Sequence, residues 1–169
     1  MKTLYVLRHA KSSWDDPNIS DFDRPLNDRG ERTAPFMGQL MRDRGLIPEA
    51  VISSPARRAT ETASLVRTAA GIEPEIRFDE RIYEASPQAL RQVASEADNS
   101  SESIMLVGHN PGIEGFIRML TGETVAAPTA ALAVIVLDIS AWADIAPGSG
   151  RLEALIRPKE VKRTFSTGS

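Results

Sequence analysis

Short apolar runs alternate with longer amphipathic segments along most of the chain. The apolar, β-rich runs predict strands, and the amphipathic segments predict helices. The predicted strands are 3–7, 50–53, 75–78, 103–107, 131–139 and 151–156. The predicted helices are 28–44, 56–70, 86–97 and 112–120. Asp28 is the expected cap of the first helix, and Ser86 followed by Pro87 is a typical start for the third.

This order of elements predicts a three-layer α/β fold. Strands that alternate with helices favour a mostly parallel central sheet with helices on both faces, and the last two strands are expected to form an antiparallel edge. A chain of 169 residues is expected to form one domain, 1–169. Residues 12–27 are rich in Asp, Ser and Pro and predict a long loop, which in a small domain is often functional.

Composition narrows the possible functions. The net charge of −3 gives no electrostatic basis for nonspecific nucleic-acid binding. The absence of cysteine excludes disulfides, thiolate catalysis and cysteine-based metal sites. The first apolar run is too short for a signal peptide, and none approaches the roughly 20 residues that span a bilayer. We therefore expect a soluble, cytoplasmic protein with no membrane partner.

The chain has 2 histidines, and each lies two positions after the end of a predicted strand. His9 follows strand 3–7 as part of Arg8-His9, and His109 follows strand 103–107 as part of Gly108-His109. The carboxyl ends of parallel strands in an open α/β sheet face a common crevice, so the two imidazoles are expected to meet there. The alternative is that each is a surface loop histidine.

Two arginines open the helix that follows strand 50–53. A guanidinium group and a helix N-terminus both suit phosphate oxygens. Arg57 and Arg58 point about 100° apart on a helix, so one of them is expected to enter the crevice while the other stays solvated. Flanking arginines repel a metal ion and attract an anion such as a phosphoryl group. They also disfavour the imidazolium form of His9, so a neutral ring could attack phosphorus directly.

Three segments resemble motifs of the histidine phosphatase superfamily. Arg8-His9-Ala10 is similar to the family's Arg-His-Gly signature, with alanine in place of glycine. Residues 54–63, SPARRATETA, resemble the second arginine motif, in which the catalytic arginine precedes Ala-x-x-Thr and is therefore Arg58. Gly108-His109-Asn110-Pro111 resembles the second histidine motif. The strings 8–14, RHAKSSW, and 24–26, RPL, are similar to the SixA-type branch.

This resemblance implies a phosphoglycerate-mutase-like fold with a minimal cap and a set of site residues. His9 is then the nucleophile, while Arg8, Arg58 and His109 hold the phosphoryl group, with no metal and no cofactor. Glu84 is the candidate proton donor, with a surface charge as the alternative.

Three further residues are candidate substrate contacts. For Lys11 a solvated loop charge is equally compatible with the sequence, and Asn110 could instead cap the helix that begins near Gly112. The third candidate is Arg24, which lies in the long loop.

The substrate remains open at the level of sequence. Only a helix, a strand and little else fit into residues 59–84, so the crevice is expected to be open and to suit a bulky substrate. A protein phosphohistidine phosphatase is the leading hypothesis. A phosphatase for a small phosphorylated metabolite and a catalytically silent phosphate-binding module are the alternatives.

Overall fold

The computed structural model describes residues 1–161, which form a six-stranded sheet with helices packed against it. The strands are β1 Lys2–Arg8, β2 Val51–Ser53, β3 Arg77–Phe78, β4 Ser103–Gly108, β5 Leu132–Leu137 and β6 Gly150–Ile156. The main helices are α1 Asp28–Asp43, α2 Arg57–Ala70, α3 Pro87–Ser95 and α4 Gly112–Thr121. Short 3₁₀ turns lie at Asp21–Asp23, Glu80–Ile82 and Trp142–Asp144. Within 1–161, no helix has the length and apolar character needed to cross a membrane.

The sheet is mixed, with the strand order β3-β2-β4-β1-β5-β6. β1 and β4 pair in parallel, as do β2 with β4 and β2 with β3. β5 runs antiparallel to both β1 and β6. The predicted mostly parallel sheet with an antiparallel edge at the last two strands is confirmed.

The helices cover both faces of the sheet and enclose two apolar cores. Alternate side chains of β1 point to opposite faces, as expected for an extended strand. Leu4 and Val6 pack in the core beneath α3 and α4, whereas Tyr5 and Leu7 pack in the core beneath α1 and α2. The predicted three-layer α/β fold is therefore confirmed.

Two local predictions differ from the structure. The N-cap of α1 is Asn27, whose side chain accepts a hydrogen bond from the amide of Gly30, and Asp28 is instead the first helical residue. The prediction of Asp28 as the cap is wrong, because Asn27 already has the extended backbone that a cap requires. The third strand is limited to Arg77–Phe78, because this edge strand pairs with only two residues of β2.

Candidate active site

The register between β1 and β4 brings the two histidines together. Arg8 of β1 is aligned with Gly108 of β4, and the amide of His9 donates to the carbonyl of Gly108 over 3.0 Å. The residues that follow the two strands, His9 and His109, are therefore neighbours, and their ring centroids lie 5.1 Å apart. Both side chains are buried. The prediction that these two imidazoles meet at one sheet edge agrees with this geometry.

On its other side β4 pairs with β2, and this places the start of α2 beside the two histidines. The amide of Ser54, just after β2, donates to the carbonyl of Val107 over 2.9 Å. The Thr62 hydroxyl, one turn into α2, accepts from the amide of Ala10 over 2.9 Å and donates to the carbonyl of Arg58 over 2.7 Å. Thr62 therefore ties the backbone beside His9 to the helical turn that carries Arg58.

A backbone hydrogen bond fixes the tautomer of His9. Its Nδ1 lies 2.7 Å from the carbonyl oxygen of Ala10. Because a carbonyl can only accept, Nδ1 must carry the proton, and Nε2 is left with its lone pair. Nε2 of His9 makes no hydrogen bond within 1–161. Because this nitrogen is not fully buried, it is reachable from solvent.

The ionisation of His9 is set by burial and by neighbouring cations. Burial is the largest effect that lowers its pKa from 6.5 to about 3, and His109, Arg58 and Arg8 lower it further. The side chain is therefore neutral at physiological pH. A neutral imidazole with a free lone pair is the form that can act as a nucleophile.

The second histidine is oriented by Ser54. The Nε2 of His109 lies 2.8 Å from the Ser54 hydroxyl, which already accepts from the amide of Ala56 over 3.2 Å. Within 1–161 the hydroxyl proton of Ser54 has no other acceptor, so it is satisfied by bonding to Nε2, and the ring proton of His109 is then on Nδ1. Burial is also the main cause that lowers the pKa of His109 to about 4.

Three buried donors in this cluster lack a partner. The fully buried side-chain nitrogens and oxygens without a hydrogen bond, within the described part of the chain, are Arg8 Nε, Arg58 Nε and His109 Nδ1. A buried polar group left unsatisfied costs about 1–3 kcal/mol, and most such groups in folded proteins are paired. All three donors belong to residues singled out from the sequence, and they suit the oxygens of an anion.

Sequence reasoning missed Asp21, which contacts Arg58 at the site. The main-chain oxygen of Asp21 accepts from Arg58 Nη1 over 2.7 Å, and its carboxylate accepts from Nη2 over 3.0 Å. The hydroxyl of Tyr83 donates to the same carboxylate over 2.6 Å. This hydrogen bond, followed by those from Arg58 and Arg24, lowers the pKa of Asp21 to about 2, while Asp21 raises the pKa of Tyr83 to about 12. Nothing in the sequence separates Asp21 from the other aspartates of its loop.

An open cleft of about 420 Å³ lies beside His109 and Arg58. Glu84 lines this cleft and is exposed. Its backbone has a φ of 54°, in the left-handed region that non-glycine residues rarely adopt. The next residue, Ala85, has its carbonyl so close to Gly112 at the start of α4 that a side chain at that glycine would collide with it. This close approach positions Glu84 at the cleft.

The three residues predicted to contact substrate lie in three different surroundings. Arg24 is buried and donates to Ser12, Ser13 and Asp21, so its guanidinium holds the loop together. The side chain of Asn110 lines the cleft, but it donates to the carbonyl of Ala127 and accepts from the amide of Glu114. Lys11 lines a separate small cleft with Arg29 and Lys159. The structure therefore brings Asn110, but not Lys11, into the site.

The buried histidines predict a stability that depends on pH. Above pH 6.5 the imidazoles are neutral in both the folded and the unfolded chain. Between pH 6.5 and about 4 the unfolded chain binds protons that the folded chain excludes, so the free energy of unfolding is expected to fall as the pH falls. Urea unfolding at pH 7.5, 6 and 5 measures this.

The control is the double variant His9→Gln, His109→Gln, which keeps polar side chains and removes both titrating rings. Its free energy of unfolding should change less over the same pH range. Carboxylates titrate equally in both proteins. An identical pH dependence in wild type and variant would therefore contradict the attribution of this effect to the two buried histidines.

Comparison with known proteins adds independent evidence. The model of the histidine phosphatase superfamily (branch 1) matches residues 4–91. A chloroplastic protein of Arabidopsis thaliana, itself uncharacterised, is 31% identical over 170 residues, covering 93% of this chain and 78% of that protein. A 2,3-bisphosphoglycerate-dependent phosphoglycerate mutase of Streptomyces avermitilis is 34% identical over 110 residues, covering 61% of this chain and 43% of the mutase.

A solved structure extends the similarity over almost the whole fold. A protein of Agrobacterium tumefaciens, named for the phosphohistidine phosphatase SixA, superposes with a TM-score of 0.77 at 32% identity, covering 93% of this chain and 98% of that one. The fold is thus phosphoglycerate-mutase-like, and the resemblance to the SixA type is confirmed. The chain belongs to the histidine phosphatase superfamily, branch 1.

Proposed function

We propose that this protein is a phosphatase that transfers a phosphoryl group to His9 and then to water. The observation that carries the proposal is the set of buried unpartnered donors on Arg8, Arg58 and His109, the residues next to a neutral His9. Phosphoryl transfer depends mainly on positioning and on neutralising the phosphoryl oxygens. The three donors supply the positioning and the neutralising interactions, and they surround an imidazole ring that can attack phosphorus.

The reaction then has two displacements at phosphorus. The lone pair on Nε2 of His9 forms a bond to phosphorus, and the bond between phosphorus and the leaving group breaks with its electron pair going to the leaving group. The leaving group takes a proton and departs. Water next attacks the phosphorus of the phosphohistidine and loses a proton. The bond between phosphorus and Nε2 breaks with its electron pair returning to Nε2, and inorganic phosphate is released. The Ala10 carbonyl keeps Nδ1–H in place throughout, which stabilises the positive charge that develops on the ring.

For the substrate we propose a protein that carries phosphohistidine. The similarity to the Agrobacterium protein named for SixA supports this class. The segment between α2 and α3 also supports a protein substrate. It contains only the two-residue β3 and a 3₁₀ turn, so it covers little of the site and the cleft is open. A folded protein surface can therefore approach His9.

A substrate panel tests the proposal. A phosphohistidine-bearing protein domain, free phosphohistidine, sugar phosphates and nucleotides are assayed in parallel with wild type. We expect the protein domain to give the highest kcat/KM. If the protein domain is left intact while a small metabolite is hydrolysed, the metabolite phosphatase is the correct alternative, and the partial match to a phosphoglycerate mutase would fit it.

We also propose that the reaction needs no metal. Within residues 1–161, no group of three or more His, Asp or Glu side chains is arranged to hold an ion. The two guanidinium groups beside His9 carry the neutralising charge instead. Addition of excess EDTA is expected to leave kcat unchanged. Loss of turnover that a divalent cation restores would contradict this.

Glu84 is proposed to protonate the leaving group. An alkoxide from a phosphomonoester needs a proton in the transition state, whereas the nitrogen of phosphohistidine is a much better leaving group once protonated by solvent. We expect Glu84→Gln to lower kcat for a phosphomonoester by about 10²-fold. Turnover of phosphohistidine should change by less than about threefold. An equal loss for both substrates would show that Glu84 is not the acid.

A further inference from the structure

The long loop between β1 and α1 exposes a tryptophan. The side chain of Trp14 is 73% exposed, more than any other large hydrophobic residue of 1–161. Tryptophan normally buries much of its large ring surface, and exposed tryptophans are enriched at protein interfaces. Its position therefore needs an explanation that the reaction at His9 does not supply.

The exposed ring is held in a fixed orientation. The guanidinium carbon of Arg24 lies 3.5 Å from the centroid of the Trp14 ring, so one face of the indole stacks on a cation. Arg24 is itself buried and is fixed by the Ser12 hydroxyl at 2.8 Å and by Asp21 at 3.2 Å. The other face of Trp14 is left open to solvent. A rigid aromatic surface loses little entropy when a partner covers it.

This surface adjoins the active site. Asp21 binds both Arg24, beneath Trp14, and the catalytic candidate Arg58. The neighbouring Phe22 is 38% exposed, and its ring packs edge-on against Tyr83 at the cleft, with centroids 5.1 Å apart. Trp14 and Phe22, which we call the aromatic rim, are therefore linked through Arg24 and Tyr83 to the residues that line the cleft.

The charge around the aromatic rim favours a particular kind of partner. Asp15, Asp16 and Asp23 are exposed, and none of them has an ion pair with a cation within 1–161. Acidic and aromatic groups together are complementary to a surface that combines lysine or arginine with apolar side chains.

We propose that the aromatic rim docks the protein whose phosphorylated residue enters the cleft. The docked surface carries apolar side chains against Trp14 and basic side chains against the neighbouring aspartates. This rests on the proposed function, because a phosphoryl group seated at His9 brings the surrounding protein surface against the rim. A free phosphorylated amino acid carries no such surface to cover Trp14.

The test compares a large and a small substrate with the same chemistry. Trp14→Ala is assayed on a phosphohistidine-bearing protein domain and on free phosphohistidine. We expect KM for the protein to rise about 10- to 30-fold, as for an interface hot spot, with little change in kcat. We expect kcat/KM for free phosphohistidine to stay within about twofold of wild type. Trp14→Phe should recover part of the lost affinity.

Ile47→Ala is the matched control. Ile47 is also an exposed hydrophobic residue, but it precedes β2 and so lies at the edge of the sheet opposite the active site. It should alter neither substrate's kinetics. Thermal unfolding midpoints establish that all variants are folded.

The outcomes separate this inference from the proposed function. Unchanged KM for the protein in Trp14→Ala, or equal losses for the two substrates, would overturn the docking surface alone. Wild-type activity confined to small substrates would overturn the proposed function and the docking surface together. A rise in KM in Trp14→Ala that is confined to the protein substrate supports the docking surface and the proposed function.

Discussion

Replacement of His9 by alanine is expected to abolish turnover, with a loss in kcat of at least about 10³-fold. The reason is that Nε2 of His9 supplies the only electron pair that the proposed mechanism uses to attack phosphorus. The covalent intermediate should disappear as well. Brief incubation with a radiolabelled phosphoryl donor, followed by quenching, should give an acid-labile, base-stable adduct on wild type and none on His9→Ala.

The other buried histidine is the matched control for this experiment. His109→Ala removes a donor to the phosphoryl oxygens but leaves the nucleophile, so the adduct should still form, on the order of 10²–10³-fold more slowly. Peptide mapping should place that adduct on His9. An adduct that persists in His9→Ala, or that maps to His109, would show that the roles of the two histidines are wrongly assigned.

Replacement of Arg58 by alanine is expected to lower kcat by about 10²–10³-fold. The buried guanidinium places an unpartnered Nε at the site, and its positive charge stabilises the phosphoryl oxygens as negative charge builds on them. Arg58→Lys should recover only part of this loss, because an ammonium group keeps the charge but lacks the planar set of donors. Steady-state kinetics on phosphohistidine and on a phosphomonoester measure the effect.

The adjacent arginine offers a close control. Arg57 is exposed and pairs on the helix surface with Glu61, with Nε and Oε2 3.3 Å apart. Exposed pairs of this kind contribute little, so Arg57→Ala should leave kcat/KM within about twofold of wild type. Comparable losses in Arg57→Ala and Arg58→Ala would contradict the assignment of one arginine to the site and the other to solvent.

The order of elements and the chemical groups of the site could be predicted because both are local properties of the chain. Hydrophobic periodicity depends on neighbours a few residues apart, so strands and helices are readable from it. The rule that the carboxyl ends of parallel strands share one edge of the sheet then predicts that His9 lies near His109, which is 100 positions further along the chain. The choice of Arg58 over Arg57 likewise followed from the helical angle and from the resemblance.

Details of charge and hydrogen bonding could not be predicted in this way. The sequence predicts that Arg24 contacts substrate, yet its guanidinium donates to Asp21 and to two serines of its own loop. Asp21 was not singled out at all. Its contacts with Arg58 and Tyr83 span 37 and 62 residues, and they depend on how one loop lies over the sheet.

The amino-acid pattern alone is enough to predict an α/β chain that carries two histidines and an arginine at strand ends, a set of groups that suits an anion. The protonation and hydrogen bonding of those groups depend on the folded chain. The register of Arg8 against Gly108 sets the distance between the rings, and the Ala10 carbonyl selects the tautomer of His9. Burial beside two guanidiniums keeps that ring neutral. Desolvation and hydrogen bonding depend on which distant groups share one small volume, and folding alone brings those groups together.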